Sequence, residues 1–312
     1  MTRVAAIDCG TNSLRLLVAD LDPVAGTLVD VDRRMKVVRL GEGVDRTGRL
    51  SAAALGRTQA ALAGFVALTH RLGTERVRMV ATSATRDADN RVEFVEMVRA
   101  TLGAEPEVVT GEEEAGLSFA GATRELMRRG VGEPPYLVVD VGGGSTEFVL
   151  GGDDPTSQVV TAVSVDVGCV RLTERHVRYD PPAAEQVAAL TADVDAALDR
   201  AAMAVPLRRA ATLVGVAGTV TTLGGMALGL ERYDAARIHG TRIPAARIAE
   251  LADQLLAMTH DERAGVPVMH PGRVDVIAAG AVVVRRVVER VGLPELVVSE
   301  HDILDGLAWS LR

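Results

Sequence analysis

The stretch from Leu137 to Val149, LVVDVGGGSTEFV, leaves this chain few folds to choose from. Three apolar residues run into Asp140, Val141 follows, and then come Gly142, Gly143, Gly144, Ser145, Thr146 and Glu147 before apolar character returns at Phe148 and Val149. The pattern predicts strand, tight turn, strand. Glycines let backbone N–H groups approach an anion with no Cβ in the way, and Ser145 can add a donor. Asp140 and Glu147 place carboxylates on either side of the turn, as a divalent cation bridging protein and phosphate would need. As an isolated feature, a glycine cluster serves a structural hairpin as readily as a phosphate cradle.

The same device opens the chain. Val4 to Arg15 reads VAAIDCGTNSLR: an apolar run into Asp8, then Gly10, Thr11, Asn12 and Ser13, then a second apolar run. Two copies of one strand–turn–strand unit imply two similar halves.

Between and after the copies, the elements follow from periodicity. Val4 to Asp8, Leu14 to Asp20 and Thr27 to Leu40 suit a three-stranded meander, and Ser51 is placed to cap a helix reaching about Leu72. Val77 to Ala81 reads as a strand whose carboxyl end delivers Thr82, Ser83, Thr85 and Arg86 to a loop, where ligands of α/β sheets collect. By itself Arg86 reads as a surface arginine. A helix at 91–102 and a short strand at 107–109 precede Glu112, Glu113 and Glu114, a run explained by acids meeting a helix N-terminus. Residues 124–135, with charges, two glycines and two prolines, mark a boundary. In the second half a third strand is expected over 162–168, a helix over 183–204, a strand over 213–216 followed by a turn carrying Gly218 and Thr219, a helix over 274–288 and a last strand over 296–299. His239, Arg263, Arg273 and the Glu300-His301-Asp302 cluster are weaker signals with ordinary structural readings. Cys9 and Cys169 show no disulfide or zinc spacing and read as buried structural thiols.

Taken in order, DCGTNSLRL near the N-terminus, ATSATRDADN from Ala81, GEEEAG from Gly111 and VVDVGGGSTEFV resemble the exopolyphosphatase and guanosine pentaphosphate phosphohydrolase family. That family sits within the superfamily of actin, the sugar kinases and the heat-shock chaperone ATPases. The resemblance implies an α/β fold of two duplicated actin-like (ribonuclease H-like) domains with a cleft between them. Residues 1–130 would form the first domain, with a C-terminal helix at about 303–312 packing back onto it, and 131–312 the second. It implies a hydrolase that releases terminal orthophosphate from polyphosphate or guanosine pentaphosphate. Glu114 corresponds to the family's general base and Arg86 to its active-site arginine. Thr11, Asn12, Ser13, Arg15, Gly142, Gly143, Gly144, Ser145 and Thr219 would bind phosphate. Asp8, Asp140 and Glu147 would hold Mg²⁺ or another divalent cation. Ending just past the second domain, the chain resembles the short members, for which shorter polyphosphate is the expected preference. A homodimer is expected by analogy. A small-molecule kinase or a non-catalytic nucleotide-binding protein of the same superfamily is the alternative, but no sugar-kinase alcohol-pocket motif is found.

A polyanionic substrate makes the charge balance matter. With 42 acidic and 34 basic residues and a net charge of −8, the chain has no general basic footprint for nucleic acid, so anion attraction must be local. No apolar run approaches the ~20 residues of a membrane span, and a cytoplasmic location with no membrane partner is the expectation.

Overall fold

The two hairpins each seed a sheet of the same plan. The computed structural model describes residues 1–152 and 159–312. It divides into two compact units, Met1–Gly121 with Ile303–Arg312, and Ala122–Asp302.

In the first unit, β1 (Thr2–Cys9), β2 (Ser13–Asp22) and β3 (Thr27–Val37) form an antiparallel meander. β4 (Arg76–Ala81) lies parallel to β1 and β5 (Glu107–Val108) parallel to β4, giving the order β3-β2-β1-β4-β5. β1 is buried on both faces, which explains its unbroken apolar run. Ala5, Ile7 and Cys9 join a core with Phe65 and Phe94, from the helices Ala52–Arg71 and Arg91–Leu102. Val4 and Ala6 join a second core with Ile303, Leu304 and Leu307. The Ser51 hydroxyl accepts from the Ala54 N–H at 3.2 Å and caps its helix as the sequence predicts.

That second core brings the C-terminal helix Ile303–Trp309 into the first unit. It crosses the helix Gly111–Arg128 at Gly306, where an added Cβ would strike the Leu117 carbonyl oxygen, so the contact is backbone on backbone. Asp305, buried, pairs with Arg33 of β3 at 2.7 Å.

In the second unit, β6 (Tyr136–Val141), β7 (Thr146–Gly151) and β8 (Val159–Val165) repeat the meander. β9 (Thr212–Val216) runs parallel to β6, β11 (Glu295–Val298) parallel to β9, and β10 (Arg242–Pro244) closes the edge antiparallel to β11. The order β10-β11-β9-β6-β7-β8 contains the first sheet's plan plus one edge strand. Leu137, Val139, Val141 and Phe148 face a large core shared with the helices Ala184–Ala204, Ala245–Ala257 and Ile277–Val291.

The differences from the expected elements have local causes. The division between units falls inside the helix Gly111–Arg128 and not at residue 130. The glycines and prolines at 130–135 do end that helix, but they shape a loop tied to the second sheet, with Thr212 Oγ1 accepting from the Glu133 N–H at 2.8 Å. The helix expected over 274–288 is shifted to Ile277–Val291, because Pro271–Arg273 forms a 3-10 turn and Gly292, at φ 81°, supplies the left-handed stop. The third strand of the second meander lies at Val159–Val165, earlier than the expected 162–168.

Candidate active site

In the first unit the expected residues gather beyond the carboxyl ends of β1, β4 and β5. Asp8, near the end of β1, is 3% exposed and directly opposite Arg15 in the hairpin register. Arg15 Nε and Nη2 donate to Asp8 Oδ2 at 2.9 and 2.7 Å. Thr11 Oγ1 meets Ser83 Oγ at 2.9 Å, and the Thr11 and Asn12 carbonyls accept from Gly41, Val38 and Arg39 N–H groups, so the 38–41 segment holds the turn rigid. Ser13 closes it by accepting from the Gly10 N–H at 3.0 Å.

Arg86 lies at the end of the short helix Ser83–Arg86 that follows β4. Its Nη1 donates to the Val109 carbonyl at 3.0 Å and to Glu114 Oε2 at 3.1 Å. Glu114 is 8% exposed. The three-glutamate run now separates by role. Glu113 Oε2 accepts from the Thr110 N–H at 2.9 Å while Thr110 Oγ1 accepts from the Glu113 N–H at 3.2 Å, a reciprocal cap on the helix N-terminus. Glu113 is therefore occupied in capping, and Glu114 is the glutamate turned to Arg86.

In the second unit the glycine turn is held from one side only. Gly142 N–H donates to the Ser145 carbonyl at 3.0 Å. The first residues of the helix Cys169–His176 then take up the remaining carbonyls: Cys169 N–H binds Gly142, Val170 and Arg171 N–H bind Gly143, and Arg171 Nε binds Gly144 at 2.7 Å. Such close docking requires Gly168, where a Cβ would strike the Gly143 carbonyl. With its carbonyls engaged by this helix, the turn leaves the Gly143 and Gly144 N–H groups with no acceptor among the described residues. That is the arrangement of an anion cradle.

Asp140 and Glu147 are direct cross-strand partners, so both side chains share the face of β6 and β7 turned away from the large core. They are 9% and 1% exposed, and Ser164 Oγ donates to Glu147 Oε1 at 2.7 Å. Two buried carboxylates opposed in this way repel unless a proton or cation sits with them. Hard oxygen donors fit a divalent cation that takes its other ligands from water and phosphate. Among the described residues no group of three or more metal-ligating side chains occurs. The two hairpins thus carry opposite charge logic: the aspartate faces arginine in the first and glutamate in the second.

Thr219, 4% exposed, lies in the first turn of the helix Ala217–Ala227, which starts directly after β9 where the sequence predicts a turn, with Ala217 at φ 70°. The Arg273 guanidinium lies against Gly218 at the start of this helix, with Nη1 donating to Thr222 Oγ1 at 3.3 Å. Arg273 is thus a second arginine at the carboxyl end of a parallel strand, and its distance from the motifs in sequence made it a weak signal. Arg263 is different. It is buried, with Nη2 on Asp180 at 2.5 Å and its other nitrogens on the Val274 and Met258 carbonyls, which makes it structural. His239 Nδ1 accepts from the Glu300 N–H at 3.2 Å and its ring meets His301 edge-on. Burial pushes the Cys9 thiol well above its usual range and that of Cys169 up to about 11, so neither is a nucleophile near neutral pH.

The sequence model of the "Ppx/GppA phosphatase family" matches residues 17–311. "Exopolyphosphatase 2" of Mycobacterium tuberculosis is 50% identical, across 100% of this chain and 99% of that protein. A "Guanosine-5'-triphosphate,3'-diphosphate pyrophosphatase" of Aeromonas salmonicida is 29% identical across 98% of this chain and 59% of its own length. Among solved structures, an exopolyphosphatase-like protein superposes with TM-score 0.94 at 43% identity, covering 99% of this chain and 97% of the other. A Ppx/GppA family member from Aquifex aeolicus gives 0.78 at 30%, covering 99% and 98%.

Proposed function

Because the chain belongs to the Ppx/GppA phosphatase family, we propose that it is a phosphoanhydride hydrolase that removes terminal orthophosphate from inorganic polyphosphate, from guanosine pentaphosphate, or from both. The observation that carries this reading is the Arg86–Glu114 pair, a carboxylate held by an arginine in a mostly buried setting at a strand's carboxyl end.

Hydrolysis adds a water oxygen to the terminal phosphorus, breaks the bridging P–O bond, and leaves orthophosphate and a chain shorter by one phosphate. Positioning and charge neutralisation supply most of the catalysis. Glu114 orients the water and accepts its proton, with Arg86 fixing the carboxylate and offering its remaining N–H groups to a phosphate oxygen. In the second unit, the Gly143 and Gly144 N–H groups and the Ser145 hydroxyl bind phosphate oxygens, and Thr219 and Arg273 add donors beyond β9. Asp140 and Glu147 would hold a divalent cation such as Mg²⁺, which would supply charge neutralisation to the phosphates. Asp8, already matched by Arg15, acts through that pair to fix the first hairpin.

The test is orthophosphate release by the purified protein with Mg²⁺ on short polyphosphate, long polyphosphate, guanosine pentaphosphate and ATP. Release from polyphosphate or the pentaphosphate that disappears in Glu114→Gln is the expected result. No release from any of them by a folded protein would overturn it.

A further inference from the structure

The carboxyl ends of the parallel strands of the second unit carry one feature that phosphate chemistry does not use. β6, β9 and β11 run parallel and side by side, so the glycine turn after β6, Thr219 after β9 and Glu300 after β11 stand in a row along one edge of the sheet. Neighbouring strands lie about 4.8 Å apart, which puts Glu300 two spacings, about 10 Å, from the glycine turn. At that end of the row the Tyr233 hydroxyl donates to Glu300 Oε1 at 2.5 Å.

That hydrogen bond explains the hydroxyl but not the ring. The chain has four phenylalanines, three tyrosines and one tryptophan, and only Tyr179 and Tyr233 of these are exposed. Tyr179 lies past the last residue of the helix Cys169–His176, whose first residues hold the glycine turn. Tyr233, 41% exposed, is therefore the exposed aromatic surface in the row itself. It is also a fixed one. The backbone of its partner is tied by the Glu300 N–H on His239 Nδ1 at 3.2 Å, and Asp234, the next residue, caps the short helix Ala235–Ile238 by accepting from the Arg237 N–H at 3.2 Å. Burial and the Glu300 carboxylate push the phenol well above its usual range, and the smaller opposing pulls of Thr221 and Arg273 place the hydroxyl beside the first turns of the helix Ala217–Ala227. A neutral, half-exposed aromatic ring held rigid binds another flat ring at little entropic cost.

We propose that Tyr233 is a stacking platform for the base of a nucleoside polyphosphate whose phosphates lie on the glycine turn and Thr219, which makes it a specificity-determining residue for nucleotide over inorganic polyphosphate. Inorganic polyphosphate has no group to place on an aromatic ring. A nucleotide has phosphates for one end of the row and a flat base for the other. This role rests on the phosphate site proposed above, and it favours guanosine pentaphosphate of that site's two substrates.

The experiment is titration calorimetry on the full chain with Mg²⁺ and two non-hydrolysable probes, guanosine 5′-[β,γ-imido]triphosphate, which carries a base, and methylenediphosphonate, which does not. Wild type is compared with Tyr233→Phe, which keeps the ring and loses the bond to Glu300, and with Tyr233→Leu, which loses the ring. The expected result is that Tyr233→Leu weakens the nucleotide about tenfold or more while Tyr233→Phe stays within about threefold of wild type, with methylenediphosphonate bound alike by all three. A merely structural tyrosine gives a different pattern: melting temperature and both affinities fall together, and the phenylalanine variant, without its hydrogen bond, suffers as the leucine variant does. That pattern would overturn the proposal, as would a wild-type protein that binds methylenediphosphonate but not the nucleotide, or an unchanged nucleotide affinity in Tyr233→Leu. Orthophosphate release is measured separately. A protein that binds the nucleotide through Tyr233 yet hydrolyses nothing keeps the stacking role and loses the hydrolytic reading, and one that hydrolyses polyphosphate while its nucleotide affinity ignores Tyr233 does the reverse.

Discussion

Glu114 and Arg86 hold each other at 3.1 Å, so substitutions at the two positions should differ in kind. Glu114→Gln keeps the shape and removes the proton acceptor, and kcat should fall about 10²–10⁴-fold with little change in stability. Glu113→Gln, next to it, weakens only the helix cap and should cost about 1 kcal/mol of stability while leaving kcat within a few-fold. Paired kinetics and thermal melts separate the two; comparable losses of kcat would undo the division of roles. At the carboxylate pair, Glu147→Gln should raise the Mg²⁺ concentration for half-maximal activity by about tenfold or more, read by titrating metal into chelator-treated protein. Cys169 allows a pH prediction. Its thiol is raised from 9.0 to about 11 by burial, so the unfolded chain ionises first and the native state loses stability between those values. The loss is on the order of 3 kcal/mol, and Cys169→Ala should flatten unfolding free energy against pH over that window. Asp8, Asp140, Glu114 and Arg86 were all legible in the sequence, because each sits at a fixed place in a short motif. Arg273 was not, because only folding brings it onto Gly218 at the start of the helix after β9.

The elements repay the same reading. The glycine turn is shaped less by its own residues than by the helix Cys169–His176, whose first N–H groups capture the Gly142 and Gly143 carbonyls. The sequence marks the turn, but its aim depends on a helix that begins more than twenty residues later, and on Gly168 letting that helix approach. The Gly306 crossing is a second case, since no local pattern shows that this glycine meets the Leu117 carbonyl. Gly306→Ala must push the two packed helices away from each other and should destabilise the protein by about 1–3 kcal/mol, measurable by denaturant unfolding; wild-type stability would mean that the helices can separate at no cost. The Ser51 cap was predictable because its signal is local, whereas the helix expected to end at 288 runs on to Val291 before Gly292 stops it.

At the scale of the whole molecule, the chain starts and ends in the same unit. The first sheet's second face is covered by Ile303, Leu304 and Leu307 and pinned by Arg33 on buried Asp305. Deleting residues 303–312 would expose Val4, Ala6 and Leu17 and leave Arg33 without Asp305. Such a variant should lose the cooperative melting of the first unit, a result that amide exchange in β1 and β2 would show directly. By itself the sequence determined the duplicated α/β plan, the two glycine-and-hydroxyl hairpins and the places of Glu114 and Arg86 in their motifs, because each depends on residues adjacent in the chain or on periodicity within one element. Only the tertiary structure decided that Asp8 faces arginine while Asp140 faces glutamate, that the unit boundary falls inside a helix, and that Arg273 lies against Gly218. These depend on strand register and on contacts between distant segments, where packing and charge pairing act through space.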